Sequence, residues 1–184
     1  NIDWNSVSDE ITKPIPNGKA VWYQKHMAQH NLPGCDLSWI NNLTNCILIR
    51  HPKDVILSYT KKFELFSADQ LGYHQQGAIY NILKNEGKAP LVLDVEDILK
   101  DPKHMLKAVC NKLEIPFYNE MLHWQSGSRK SDGIWGRHWY RNVKASTGFR
   151  PYKKKRKELS DKYQGIYLDC LDWYEKLYEE RFCY

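Results

Sequence analysis
Residues Cys46 to Phe63 read CILIRHPKDVILSYTKKF: an apolar run, an arginine, then a proline and a helical pattern. The run NCILIR predicts a strand, and its unbroken apolar character predicts burial on both faces. Pro52 suits the first position of a helix, where a missing N–H is no loss. In that helix Val55, Ile56, Tyr59 and Phe63 share one face and read as core. Asp54, Ser58 and Lys61 stack on the opposite face. Arg50 therefore stands where a buried strand ends and a helix begins. Open α/β sheets bind ligands at the carboxyl ends of their strands, and a helix N-terminus favours an anion. A guanidinium fork matches phosphate oxygens, and the Ser58 hydroxyl offers a further donor. The alternative is structural: Arg50 pairs with a carboxylate and Ser58 is merely solvated.

Strands and helices alternate around this segment. A strand is expected over Ala20–Gln24, and a short helix in DLSWINNL with Asp36 as its N-cap. A longer helix is expected over Ala68–Asn85, ending near Gly87. APLVLDV is a third buried strand, followed by a helix from about Asp101 to Leu113 with Pro102 near its start. Residues 125–157 are loop-rich, basic and aromatic, and an amphipathic helix over Glu158–Phe182 closes the chain. This alternation predicts an α/β fold with a parallel, doubly wound sheet.

The 184 residues suit one domain, and 42% hydrophobic with 27% charged residues is an ordinary globular balance that argues against disorder. A net charge of +5 suits an anionic ligand without requiring nucleic acid. No 18-residue apolar run occurs, so no membrane span is expected. Cys35, Cys46, Cys110, Cys170 and Cys183 are an odd set without a C-x-x-C pair, which points to a reducing, cytoplasmic setting. The histidines lack ligand spacing with cysteines or carboxylates; His26 and His30 stand at i, i+4 without the accompanying glutamate, so no metal is expected. KKKRK at Lys153–Lys157 reads as a solvated face opening the last helix, with polyanion binding as the alternative.

Four motifs occur in a meaningful order. Arg50, Pro52, Lys53-Asp54 and Ser58 look like a 3′-phosphate-binding segment. LVLDVEDILKDPKHMLKAVCNKLEIPF is similar to a strand, Glu-Asp, Asp-Pro-Lys and a helix ending in a Leu-Gly-Ile-Pro-like turn, with Glu114 replacing the glycine. SGSRKSDGIWGRHWY resembles an Arg-Lys-Gly loop, and WYQKHMAQHNLPG with STGFRPY completes the set. Together they resemble the PAPS-dependent sulfotransferases, and among them a bacterial-type sulfotransferase-like branch.

That resemblance implies a P-loop-NTPase-like, three-layer parallel sheet with helices on both faces, in a single domain over residues 1–184. It implies transfer of a sulfuryl group from PAPS to a hydroxyl or amine of a small-molecule acceptor, leaving PAP. Carried over by motif, Arg50 and Ser58 would hold the 3′-phosphate, and Arg129 and Lys130 would add cationic contacts. Val95 stands where the family usually has a tyrosine. His26 would be the base, since a pKa near 6.5 suits proton removal at neutral pH, and Lys25 would offset charge on the leaving phosphate oxygen. Neighbouring side chains on a strand point to opposite faces, so both serve only if the strand has ended; His30 is the substitute base. Trp135, His138, Trp139, Tyr140 and Phe149 read either as an acceptor-pocket wall or as core beneath a long loop. The family's first strand and phosphate-binding loop have no counterpart: G-x-x-x-x-G-K-[ST] is absent, and GYHQQGAI at Gly72 lacks the lysine. The sequence thus reads as an N-terminally incomplete sulfotransferase-like piece. The alternative is a non-catalytic nucleotide-binding or protein-interaction domain of that family.

Overall fold
Strand β1 (Cys46–Ile49) pairs in parallel with β2 (Leu91–Asp94), in register from Cys46↔Leu91 to Ile49↔Asp94. The computed structural model describes residues 3–32, 34–129, 132–133, 140–153 and 157–184. Its chain divides into two compact units, Asn1–Asp94 with Lys155–Cys183, and Val95–Lys154 with Tyr184. Both strands belong to the first unit, together with α1 (Trp4–Ile11), α2 (Pro52–Tyr59) and α3 (Tyr73–Asn85). The second unit contains α4 (Val95–Lys100), α5 (Pro102–Lys112) and the short α6 (Arg141–Lys144). The last helix, α7 (Gln164–Glu179), returns to the first. The α/β character with a small parallel sheet agrees with the sequence.

The core of the first unit lies on one face of the sheet. Ile47, Ile49 and Val92 are buried there against Tyr73 and Tyr80 of α3 and Cys170, Tyr174 and Leu177 of α7. The other face of β1 is open: Cys46 is exposed and Leu48 is 53% exposed. The expected burial on both faces is therefore corrected to a strict alternation. An apolar run reports compatibility with burial, whereas the number of covered faces depends on which helices reach the strand.

Ala20–Gln24 does not form the expected strand; it is irregular, with Val21 48% and Tyr23 83% exposed. A strand needs a partner edge, and here Gln24 spends its side-chain amide on Ile11 O at 2.7 Å. The helix expected over Ala68–Asn85 is interrupted at Gly72, whose φ of 79° is left-handed. A 3-10 turn, Ala68–Leu71, precedes the glycine behind a Ser67/Gln70 capping box, and α3 starts after it. A Cβ on Gly72 would sit 3.0 Å from Gln29 N, so the close approach also selects glycine. Asp36 does organise its turn, accepting from Ser38 N at 2.8 Å and from the Ser38 hydroxyl at 2.9 Å, but the helix is a 3-10 turn over Ser38–Asn42. The last helix is shorter than Glu158–Phe182, beginning after a 3-10 turn at Asp161–Tyr163.

In the second unit Asp101 caps α5, accepting from His104 N at 3.2 Å, and Pro102 opens the helix. The helix ends in a Schellman motif: Ile115 N donates to Cys110 O at 3.0 Å and Glu114 N to Asn111 O at 3.2 Å. Glu114 occupies the left-handed position with φ 55°. The glycine of the Leu-Gly-Ile-Pro-like turn thus has a backbone reason, and Glu114 carries strain at the same place. Glu114→Gly is expected to raise stability by about 1 kcal/mol, seen as a higher urea midpoint at unchanged slope.

Candidate functional site
Arg50 follows the last residue of β1, and His51 and Pro52 lead into α2. The expectation for α2 holds at its start and fails at its end. The helix stops at Tyr59, where the Thr60 hydroxyl bonds back to Ile56 O at 2.8 Å. Phe63 lies beyond it, 43% exposed, against the Tyr59 ring at 5.3 Å. Ile56 and Leu57 are buried as core, but so is Asp54, which the spacing assigned to the solvent face.

Asp54 is buried beside the arginine. Arg50 Nη2 stands 3.4 Å from Asp54 Oδ2, across one helical turn. That distance is long for a charge-assisted bond. The Arg50 side chain remains 40% exposed, while its Nε is buried without a hydrogen-bond partner among the described residues. The fork is therefore incompletely used and still reaches solvent. The carboxylate sits in the first turn of α2, where the helix dipole favours a negative charge. Arg50 thus pairs with a carboxylate, and its guanidinium keeps donor capacity that the pairing does not use. Ser58, exposed one turn beyond Asp54, lies on the same line of the helix.

The Arg50 main chain is held from above. Tyr73 OH donates to Arg50 O at 2.6 Å, and Gln76 Nε2 donates to Leu48 O at 3.0 Å. On the core face, Asp94 at the end of β2 is 2% exposed and accepts from Tyr174 OH at 3.0 Å. The Tyr174 ring meets His51 edge-on at 5.3 Å. Tyr73, Gln76 and Asp94 were not singled out from sequence. The available signal was the alternation of LVLD, which carries an acid onto the apolar face.

His26 and Lys25 lie in the irregular segment before the Ala28–His30 turn, so the strand-face conflict between them does not arise. His26 Nε2 shares a hydrogen bond with Gln24 Oε1 at 3.0 Å, and its ring packs against Trp39 at 5.4 Å. Although the residue is open to solvent, crowding around the imidazole lowers its pKa from 6.5, so the neutral, proton-accepting form predominates at neutral pH. Lys25 and His30 are exposed. No hydrogen bond or ion pair among the described residues joins these three to Arg50. Arg129 belongs to the second unit, where its N–H donates to Asp132 Oδ2 at 3.0 Å. Lys130 lies outside the described residues, as do Trp135, His138 and Trp139. Phe149 packs edge-on against Trp124 at 5.5 Å in the second unit, and Tyr140 is exposed.

A pocket of about 400 Å³ opens elsewhere in the first unit, between Phe66, Asp69, His74, Cys170 and Trp173. It holds none of the residues singled out from sequence, but Tyr73, whose hydroxyl bonds Arg50 O, is part of its lining. The Cys170 thiol that faces it is pushed up to about 12, chiefly by burial with Asp169 and Asp69 adding to it, and is no nucleophile. Among the described residues no cluster of three His, Cys, Asp or Glu side chains is arranged for a metal ion. None of their helices is long and apolar enough to cross a membrane.

Comparison with known proteins bears on the whole arrangement. A family described as a sulfotransferase domain matches residues 9–163. The branched-chain-amino-acid aminotransferase-like protein 2 of Arabidopsis thaliana is 30% identical over 172 residues, covering 92% of this chain and 31% of that protein. The branched-chain-amino-acid aminotransferase-like protein 1 of the same organism is 36% identical over 149 residues, covering 79% of this chain and 27% of that protein. The chain therefore spans less than a third of the length of these relatives. No solved structure matches. With the strand–arginine–proline segment inside a match that spans most of its length, the chain belongs to the sulfotransferase domain family.

Proposed function
We propose that this domain takes part in sulfuryl transfer from PAPS to a hydroxyl or amine of a small-molecule acceptor, releasing PAP. The observation that carries the reading is the state of Arg50: a guanidinium at the carboxyl end of a parallel strand, half open, with Nε buried and unbonded. A 3′-phosphate would satisfy that donor with a charge-assisted bond, and its negative charge suits the start of α2. Ser58 would add a hydroxyl to the same group. Arg129 and Lys130, on the family's pattern, would supply further positive charge.

In the reaction an acceptor O–H loses its proton to a base as the oxygen attacks sulfur, and the sulfur–oxygen bond to the donor phosphate breaks. His26, neutral at pH 7, is the proposed base, with His30 as substitute, and Lys25 the cation for the departing phosphate oxygen. On this reading the 184 residues form one domain with a P-loop-NTPase-like fold, whose three-layer arrangement would place helices over the face of β1 that is open among the described residues. The five free thiols suit a reducing, cytoplasmic setting. A second reading, a non-catalytic sulfotransferase-like domain, is favoured by one observation: the described hydrogen bond of His26 is to an amide, Gln24, and not to a carboxylate that would orient and strengthen a base.

The test is thermal melting with and without PAP. At a hundredfold excess over Kd, a ligand specific to the folded state adds about 2.7 kcal/mol. The rise is expected in the parent chain and is expected to vanish in Arg50→Ala. Arg50→Lys should recover only part of it, because a point charge lacks the fork. A PAP response that survives Arg50→Ala would refute the 3′-phosphate assignment.

A further inference from the structure
We infer that Tyr73 and Gln76 are positioning residues that set Arg50 for its anion through the main chain of β1; the inference rests on the nucleotide reading of Arg50. Leu91 N–H donates to Asn45 O at 3.2 Å, so alternate carbonyls, those of Asn45, Ile47 and Ile49, face β2. The carbonyls of Leu48 and Arg50 face the opposite edge. Among the described residues no strand pairs with that edge. Helix α3 supplies the missing donors instead, Gln76 to Leu48 O at 3.0 Å and Tyr73 to Arg50 O at 2.6 Å.

The spacing is matched. Alternate strand carbonyls lie about 7 Å apart, and side chains three residues apart on a helix stand about 5–6 Å apart on one face. Two donors one turn apart therefore reach two carbonyls two residues apart. Gly72 fixes where α3 begins, and so which side chains arrive at the edge. Tyr73 is 3% exposed, packed in the core that also holds Ile49 and Tyr174, so its hydroxyl cannot wander. Burial raises its pKa, with Cys170, Tyr174 and Asp94 adding and Arg50 opposing, and it stays a donor throughout the ordinary pH range.

The consequence falls on Arg50 because its side chain is weakly held. Among the described residues a contact at 3.4 Å and an unbonded Nε leave the guanidinium to be aimed mainly by its main chain. A fork that must meet two phosphate oxygens is sensitive to small displacements of its origin.

The experiment measures, by titration calorimetry on the 184-residue chain, the affinities for PAP and for adenosine 5′-monophosphate, which lacks the 3′-phosphate. Tyr73→Phe keeps the ring and loses the donor. The preference for PAP is expected to fall roughly tenfold, with adenosine 5′-monophosphate affinity unchanged to about twofold. Gln76→Met, at a partly exposed site, is expected to lower the preference roughly threefold, and it decides the matter if Tyr73→Phe fails to fold. A folded variant that keeps the parent preference overturns the inference. So does a parallel loss of both affinities, the mark of a merely structural role. A parent chain that does not distinguish the two nucleotides sinks the nucleotide reading itself, and this inference with it.

Discussion

Gly77→Leu is expected to lower stability by about 3 kcal/mol or more, and the melting temperature by roughly 10 °C. Gly77 lies within α3, buried on the face that also carries Tyr73 and Tyr80. Glycine inside a helix costs about 1 kcal/mol relative to alanine, so something else must keep it there. The reason is Trp173 of α7: a Cβ at position 77 would stand 2.2 Å from its Cε3 and 2.4 Å from its Cζ3. Those atoms belong to a fused ring that cannot fold aside as a flexible chain end would. The ring is also held by His74 edge-on at 5.3 Å, and the Lys176 ammonium lies 4.8 Å from its centre. Gly77→Ala therefore sets a gain of about 1 kcal/mol in propensity against an overpacking cost of about 1–3 kcal/mol, and a net loss is expected. Urea unfolding of Gly77→Ala, Trp173→Leu and the double variant gives the coupling directly. A Gly77→Ala chain more stable than its parent, or additive single effects, would mean the contact with Trp173 does not hold α3 against α7.

What the sequence made legible was local. β1, β2 and the starts of α2 and α5 follow from short signals: an apolar run, Pro52, and Asp101 followed by Pro102. Each acts within one turn or one strand, so no distant residue overrules it. Ala20–Gln24 has strand-forming residues but pairs with no strand among the described residues, and whether it is offered an edge is decided elsewhere in the chain. The exposed face of β1 is the same kind of miss, since Leu48 is as apolar as Ile47 and differs only in what covers it. The break at Gly72 was readable in principle, because a glycine in a helical pattern invites a left-handed residue; its contact with Gln29, 43 positions earlier by residue number, was not.

The candidate site divides in the same way. Arg50 could be found because strand, arginine and proline are contiguous. The partnership with Asp54 also had a signal, opposite charges at i, i+4, which the amphipathic pattern of α2 obscured by placing Asp54 on the solvent face. Tyr73 reaches Arg50 across 23 residues, and Tyr174 reaches Asp94 across 80. Contacts of that separation are products of the fold and leave no mark in either local segment.

Asp94→Ala is expected to cost about 3 kcal/mol, although the residue occupies a place that the strand pattern reserves for an apolar side chain. LVLD alternates, so Val92 and Asp94 point the same way, and Val92 is 1% exposed in the core. A carboxylate there loses nearly all its hydration, and that cost is met only if bonds replace the water. One replacement is the Tyr174 hydroxyl at 3.0 Å, itself on a buried ring that meets His51 edge-on. Truncation to alanine removes an acceptor from Tyr174 and opens a small void at once. Asp94→Asn keeps one acceptor oxygen and should lose less. Tyr174→Phe should lose about 1–2 kcal/mol, and the double variant Asp94→Ala/Tyr174→Phe less than the sum, because the two changes remove the two ends of one hydrogen bond. Chemical denaturation of the four chains measures this coupling, and strict additivity would dissolve the pair as a unit. Asp94→Leu/Tyr174→Phe asks why the polar pair is retained. An apolar replacement of a buried polar pair is often neutral or stabilising. If that chain is as stable as the parent yet lacks the preference for PAP over adenosine 5′-monophosphate that the proposed function expects of the parent, Asp94 is kept for the strand ends beside Arg50 and not for the stability of the core. If stability and preference both survive, the pair matters to neither, and Arg50 is set by α3 alone.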